Sequence, residues 1–153
     1  YKPNGNSTEW VIDLIITDNE ASSVQNALYR LGYDVLITRQ THWEISTVGD
    51  PDPILKQIDT TGELYNSNKE FISKTINNEK VASLLVRQKE DIKARAKFES
   101  LTDRFEISGI TNLKCGVIWN LIINSGSFEA VLNDILNTQL LFNPLSHECY
   151  RIN

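Results

Sequence analysis

Four sets of residues in this chain carry groups that could do chemistry. His147, Glu148 and Cys149 bring an imidazole, a carboxylate and a thiol together in three consecutive positions. On a strand, neighbouring side chains point to opposite faces, so His147 and Cys149 converge and Glu148 does not. Two donors fall short of the three or four a zinc site uses, and ordinary strand residues are expected there. His42 lies beside Glu44 on the polar side of an alternating segment, where an exposed imidazole is expected. Asp50, Asp52 and Asp59 are oxygen donors of the kind a hard cation takes. The first two, however, stand where helix caps are needed. Lys89, Lys93 and Lys97 follow one another at intervals of four, with Arg104 further along, and on a helix they form a basic ridge. Such a ridge is either a solvated face or a docking surface for an acidic partner or a phosphate. The sequence has no P-loop, no dinucleotide fingerprint in a strand–turn–helix context, no nucleophile elbow and no Cys/His pairs at zinc spacing. The expectation is therefore no catalytic residue, no cofactor and no bound metal, and no hydrolysis of glutamine or ATP by the isolated chain.

The elements that position these residues come from a chain of 153 residues with a formal charge of −5, a balance unlike that of nucleic-acid binders. No apolar run approaches the ~20 residues of a membrane span, and the opening YKPNGNST lacks the apolar core of a signal peptide. A cytoplasmic protein is expected, with Cys115 and Cys149 as buried thiols and the Asn6-Ser7-Thr8 sequon unread. The charge is uneven. Residues 1–76 carry 6 Lys+Arg against 11 Asp+Glu, whereas residues 77–153 carry 9 of each.

The segment LNDILNTQLLFNPLSHECYRI (132–152) largely repeats LKQIDTTGELYNSNKEFI (55–72) at an offset of 77, close to half the chain. Leu55 matches Leu132, Ile58 Ile135, Thr61 Thr138, Leu64 Leu141 and Asn66 Asn143. Two units are expected, 1–76 and 77–153, joined at 75–79 and sharing an interface, since a unit of this size alone makes a marginal core.

In the first unit, residues 10–16 read as a strand. Thr17 with Glu20 reads as a capping box, and Ala21, Val24, Ala27, Leu28 and Leu31 as the stripe of a helix ending at Gly32. Residues 33–47 alternate as a long strand or bent pair, with a bend expected at Arg39 and Thr41. Asp52-Pro53 opens a short helix that ends near Gly62, and a last strand follows within 64–73. The second unit repeats the order. It has a strand at 81–86, a helix at about 89–104, a long strand at 110–124, a helix capped by Ser127 and stopped by Pro144, and a strand at 146–152. Trp43 and Trp119 fall at matching places. The fold class is α+β, two tandem ferredoxin-like units forming a pseudo-dimer with mixed, mainly antiparallel sheets.

The ending Leu141-Phe-Asn-Pro144 through Tyr150 resembles that of the PurS family, the small subunit of phosphoribosylformylglycinamidine synthase. Leu64-Tyr-Asn-Ser67 is a weaker copy, with Ser67 in place of the proline. Ala27-Leu28-Tyr29-Arg30-Leu31-Gly32 is similar to the family's A-L-x-x-L-G helix end. Leu113-Lys114-Cys115-Gly116-Val117 is similar to its V-R-x-G-K strand start, with Val117 for the lysine. In the first unit Arg39, Thr41 and His42 take the Arg, Gly and Lys places. The family's usual chain holds one such unit and pairs with itself, so a chain with two resembles a covalently joined PurS dimer. The resemblance implies a non-catalytic role in purine biosynthesis, bridging a glutaminase subunit and an ATP-dependent synthetase subunit so that ammonia passes between them. It implies those two partners, with self-association possible, and no nucleic acid or membrane. Two other classes stay open: an ACT-like regulatory module with a small molecule between its units, and a small enzyme whose site forms there.

Overall fold

Thirteen and fourteen residues of near-continuous alternation make the two longest strands, β2 (Val35–Thr47) and β5 (Ile110–Ile123), and these pair with each other along their length. They form the middle of the sheet in this computed structural model, which describes residues 1–73, 81–124 and 126–152. The remaining elements are β1 (Ser7–Leu14), α1 (Asn19–Arg30), α2 (Pro51–Thr61), β3 (Glu70–Ser73), β4 (Val81–Gln88), α3 (Ile92–Glu99), α4 (Phe128–Asn137) and β6 (His147–Arg151). A π-helical turn, Ser100–Arg104, prolongs α3. The sheet order is β3-β1-β2-β5-β4-β6, and every pairing is antiparallel. The expectation of mixed sheets is thus corrected to one open antiparallel sheet of six strands. The β–α–β–α–β order occurs twice along the chain, and the strand order reads third, first, second, second, first, third.

All four helices pack on one side. Alternate residues of β2, Val35, Ile37, Trp43 and Ile45, face them. α2 and α3 close one core, in which Ile58, Ala94 and Leu101 meet Trp10, Ile12, Trp43, Ile45 and Leu113. α1 and α4 close the other, in which Ala21, Leu28, Leu132 and Ile135 meet Val35, Ile37, Leu84, Val86 and Trp119. Each core therefore draws one helix from each half of the chain, and neither half buries its apolar stripes alone.

Local hydrogen bonding repeats with the sequence. Thr61 Oγ1 donates to the Ile58 carbonyl and accepts the Glu63 N–H; Thr138 Oγ1 donates to the Ile135 carbonyl and accepts the Leu140 N–H. The Asn66 carbonyl accepts the N–H groups of Lys69 and Glu70, and its side chain that of Asn68. Asn143 does the same for Ser146, His147 and Leu145. These Asx turns bring the chain from each helix back to an edge strand.

Several expected boundaries move, each for a local reason. β1 begins at Ser7 and ends at Leu14, leaving Ile15 and Ile16 exposed. α1 is capped by Asp18, not Thr17, because the carboxylate accepts both the Glu20 and Ala21 N–H groups, and Leu31 lies outside as an exposed C-cap. α2 starts two residues earlier than Asp52-Pro53, with Asp50 as cap and Pro51 in the first turn. β2 has no bulge at Arg39 and Thr41; its register shifts only between Ser46 and Thr47. α3 starts at Ile92 behind the Asp91 cap. α4 stops at Thr138, where Gln139 adopts a φ of 59°, before Pro144 is reached. The expected joint at 75–79 lies outside the described residues.

Candidate functional site

The helix carries the basic residues only in part: Lys93 and Lys97 lie on α3 and Arg104 on the turn that prolongs it, while Lys89 does not. Lys89 precedes α3, where its backbone N–H is tied to the Ser146 carbonyl. Lys93 lies with its ammonium 5.5 Å from the centre of the Trp43 ring. Lys97 reaches across to the other half of the chain and pairs with Glu63 at 3.3 Å. Arg104 stacks on its neighbour Phe105. Two of the four cations thus hold α3 against β2 and the end of α2. Charge reversal should separate the roles. Lys97→Glu, which sets two carboxylates together, should cost on the order of 1 kcal/mol, and Lys89→Glu less than ~0.5 kcal/mol, read from urea melts.

Between the two cores the helix side of the sheet dips to a cleft of about 300 Å³ around Thr41 and Val117, directly paired residues at the middle of β2 and β5. The Arg39 guanidinium lies 5.8 Å from the Trp119 ring and is held by Asp18 and Glu20. This accounts for the polar residues that interrupt the apolar face of β2: Arg39 is neutralised by the cap of α1. Asp91 plays a related part at α3, taking the N–H groups of Ala94 and Cys115 at 3.0 and 2.8 Å. Burial pushes the Cys115 thiol up to about 11, so it is an unreactive packing group at neutral pH.

The face away from the helices is polar yet largely buried, which overturns the expectation of an exposed His42. Gln40, His42, Glu44 and Ser46 are all buried, His42 to 1% exposure. One row of side chains crosses five strands. Ser83 Oγ donates to Asn120 Oδ1, Asn120 Nδ2 to Gln40 Oε1, and Gln40 Nε2 to Asp13 Oδ2 and Ser73 Oγ. A second row carries charge. Arg87 Nη2 on β4 donates to Glu44 Oε2 on β2 at 2.8 Å, passing over β5. It can do so because the strand between them has Gly116, where a Cβ would sit 3.0 Å from Arg87 Cγ and 2.8 Å from Leu85 Cδ1. Glu44 also accepts the Asn4 N–H and the Ser7 hydroxyl. Burial alone would raise its carboxyl, but these donors and the Arg87 charge hold it below the usual range. His42 Nε2 meets Glu9 Oε1 at 2.8 Å, and burial keeps the imidazole below its ordinary value despite that partner. Residues before β1 complete the burial: the Tyr1 ring stands edge-on to His42 at 6.0 Å, with Arg87 5.3 Å from its centre.

The other predicted residues stay apart. His147 Nδ1 is engaged by Ser146 Oγ at 2.9 Å, and Cys149 lies half-buried against the second core. Asp50 caps α2 and Asp59 accepts the Tyr65 hydroxyl, whose own titration is pushed up to about 12 by that bond. Among the described residues no three His, Cys, Asp or Glu converge as metal ligands, and no helix is long and apolar enough to cross a membrane. Sequence reasoning missed Glu9 and Arg87, and placed Glu44 on a face it took to be solvated. The available signal was Gly116, since a glycine inside a strand marks a close approach. No protein-family model matches the chain, and a search of curated proteins finds no match.

Proposed function

We propose that the chain is a non-catalytic bridging subunit of a phosphoribosylformylglycinamidine synthase complex, acting in purine biosynthesis as a covalently joined pair of PurS-like units. The observation that supports it most is the repeat carried through sequence and hydrogen bonding: Thr61 with Thr138, Asn66 with Asn143, and Ile58 with Ile135 at the base of separate cores. The palindromic strand order fits the same reading, with β2 against β5 where two separate chains would meet. On this reading residues 10–73 superpose on 80–153 with Trp43 equivalent to Trp119. A bridging subunit that meets two different proteins needs two unequal surfaces, and a fused pair is free to diverge where a true two-fold dimer is not. The halves differ accordingly in charge, and the glutaminase and synthetase subunits would each take one.

Reconstitution tests the role. Glutamine-dependent synthesis by the glutaminase and synthetase subunits of the same source should require this chain. Synthesis from added ammonium by the synthetase alone should not. Equal glutamine-dependent rates with and without the chain would remove the proposal, as would failure of the three to co-purify in the presence of glutamine and nucleotide.

A further inference from the structure

On the face away from the helices, the residues before β1 fold back and roof a cleft of about 620 Å³, within the ~300–1,000 Å³ of small-molecule sites. Val11, Ile118 and Ile152 supply its apolar surface, Tyr1 its roof, and Glu9 and His42 a polar wall. No lysine or arginine lines it, and Glu9 is its single charged side chain. Glu9 Oε1 accepts both the Tyr1 hydroxyl at 2.7 Å and His42 Nε2–H at 2.8 Å. Its other oxygen takes no hydrogen bond among the described residues, and the side chain is 36% exposed. His42 is almost fully enclosed, and its Nδ1 has no partner among the described residues. That nitrogen has no exposed surface, so the Glu9 carboxylate is the acceptor that a molecule in the cleft reaches.

These groups define a ligand by exclusion. A carboxylate or phosphate would face Glu9, and the nearest cation, Arg87, lies behind Tyr1, where Glu44 and the Tyr1 hydroxyl already engage it. A wholly apolar molecule would strip water from the carboxylate and give nothing back. A cation with an apolar body satisfies both walls: its N–H groups replace water at the free Glu9 oxygen, and its body covers Val11 and Ile118.

We propose that this cleft is a binding site for a small organic ammonium, held by Glu9 and enclosed by Tyr1. The site is independent of the bridging role, since it involves no partner subunit. Phenethylamine and hydrocinnamate, similar in shape and opposite in charge, titrated into the isotope-labelled full chain at neutral pH, test it. The amine should give saturable amide shifts at Glu9, Val11 and Ile118, and the carboxylate none. Glu9→Gln retains an acceptor for Tyr1 and His42 and should weaken the amine by about tenfold or more, as expected for a lost charge-assisted bond. Tyr1→Ala should weaken it as well, with amide changes of the unliganded protein confined to the neighbourhood of Glu9, His42, Arg87 and Tyr150, which the ring touches. Equal shifts with the carboxylate, amine binding that survives Glu9→Gln, or no saturable shift with the amine would each overturn the assignment.

Discussion

Arg87→Met should destabilise the chain by about 3–5 kcal/mol at neutral pH, the usual result of removing one partner from a buried ion pair. Glu44 is 2% exposed and short, so it cannot follow its lost partner into water. It would keep only the Asn4 N–H and the Ser7 hydroxyl. The loss should depend on pH in a direction that identifies Glu44. In the native protein its carboxyl is held below its ordinary value of 4.5. That contribution is complete above the unfolded value and disappears as pH falls through the native one. In Arg87→Met the lowering charge is gone and only the Asn4 N–H and the Ser7 hydroxyl oppose burial, so the carboxyl moves up from its native value and the variant takes up its proton at higher pH. The gap between the two proteins should therefore narrow as pH falls from neutral towards the ordinary carboxylate range. Arg87→Met/Glu44→Leu should recover most of the loss, because an apolar pair of similar volume needs no compensation. Urea melts across pH would measure all three. A gap that is constant with pH would mean that the cost comes from lost packing of the arginine stem over Gly116, not from the stranded carboxylate.

The alternation of β2 and β5 and Gly62 at the end of α2 were legible because each depends on residues a few positions apart. Ser127 stands at the cap position of α4 as the sequence reads; at α1, Thr17 and Asp18 are both good caps, and the choice fell to Asp18, which also meets Arg39 from β2. The same contact explains why Arg39 does not bend its strand. Nothing local pairs residues 18 and 39. His42 and Glu44 were correctly assigned a face, but exposure was inferred from their polarity. Their burial depends on Arg87, far along the chain, and on the opening residues folding back, neither of which leaves a periodic trace. Lys89 falls outside its expected helix for a related reason. Spacing of four places lysines along a helix, but Asp91 caps α3 after Lys89, and Lys97 finds Glu63 in the other half.

Trp43→Ala should cost about 3–5 kcal/mol from the volume removed, a large part of the ~5–15 kcal/mol that holds a domain of this kind together. The ring has no exposed surface and touches residues from both halves of the chain. Lys93 of α3 stands over one face of it, and its indole N–H donates to the Leu64 carbonyl at 3.1 Å, fixing the turn that leads into β3. Trp119 lies in the second core, 4% exposed, with Arg39 near its ring, but no hydrogen bond to Leu141 is found among the described residues. A milder pair of substitutions exposes that difference. Trp43→Phe keeps most of the ring and strands a buried carbonyl, for about 1–3 kcal/mol. Trp119→Phe strands none, so it should cost less by a similar margin. Differential urea midpoints with unchanged slopes would establish the inequality. Equal costs would mean that the Leu64 bond adds nothing and that the two tryptophans are equivalent in energy. An unequal result would show that one half of the sheet is locked to its edge strand more firmly than the other.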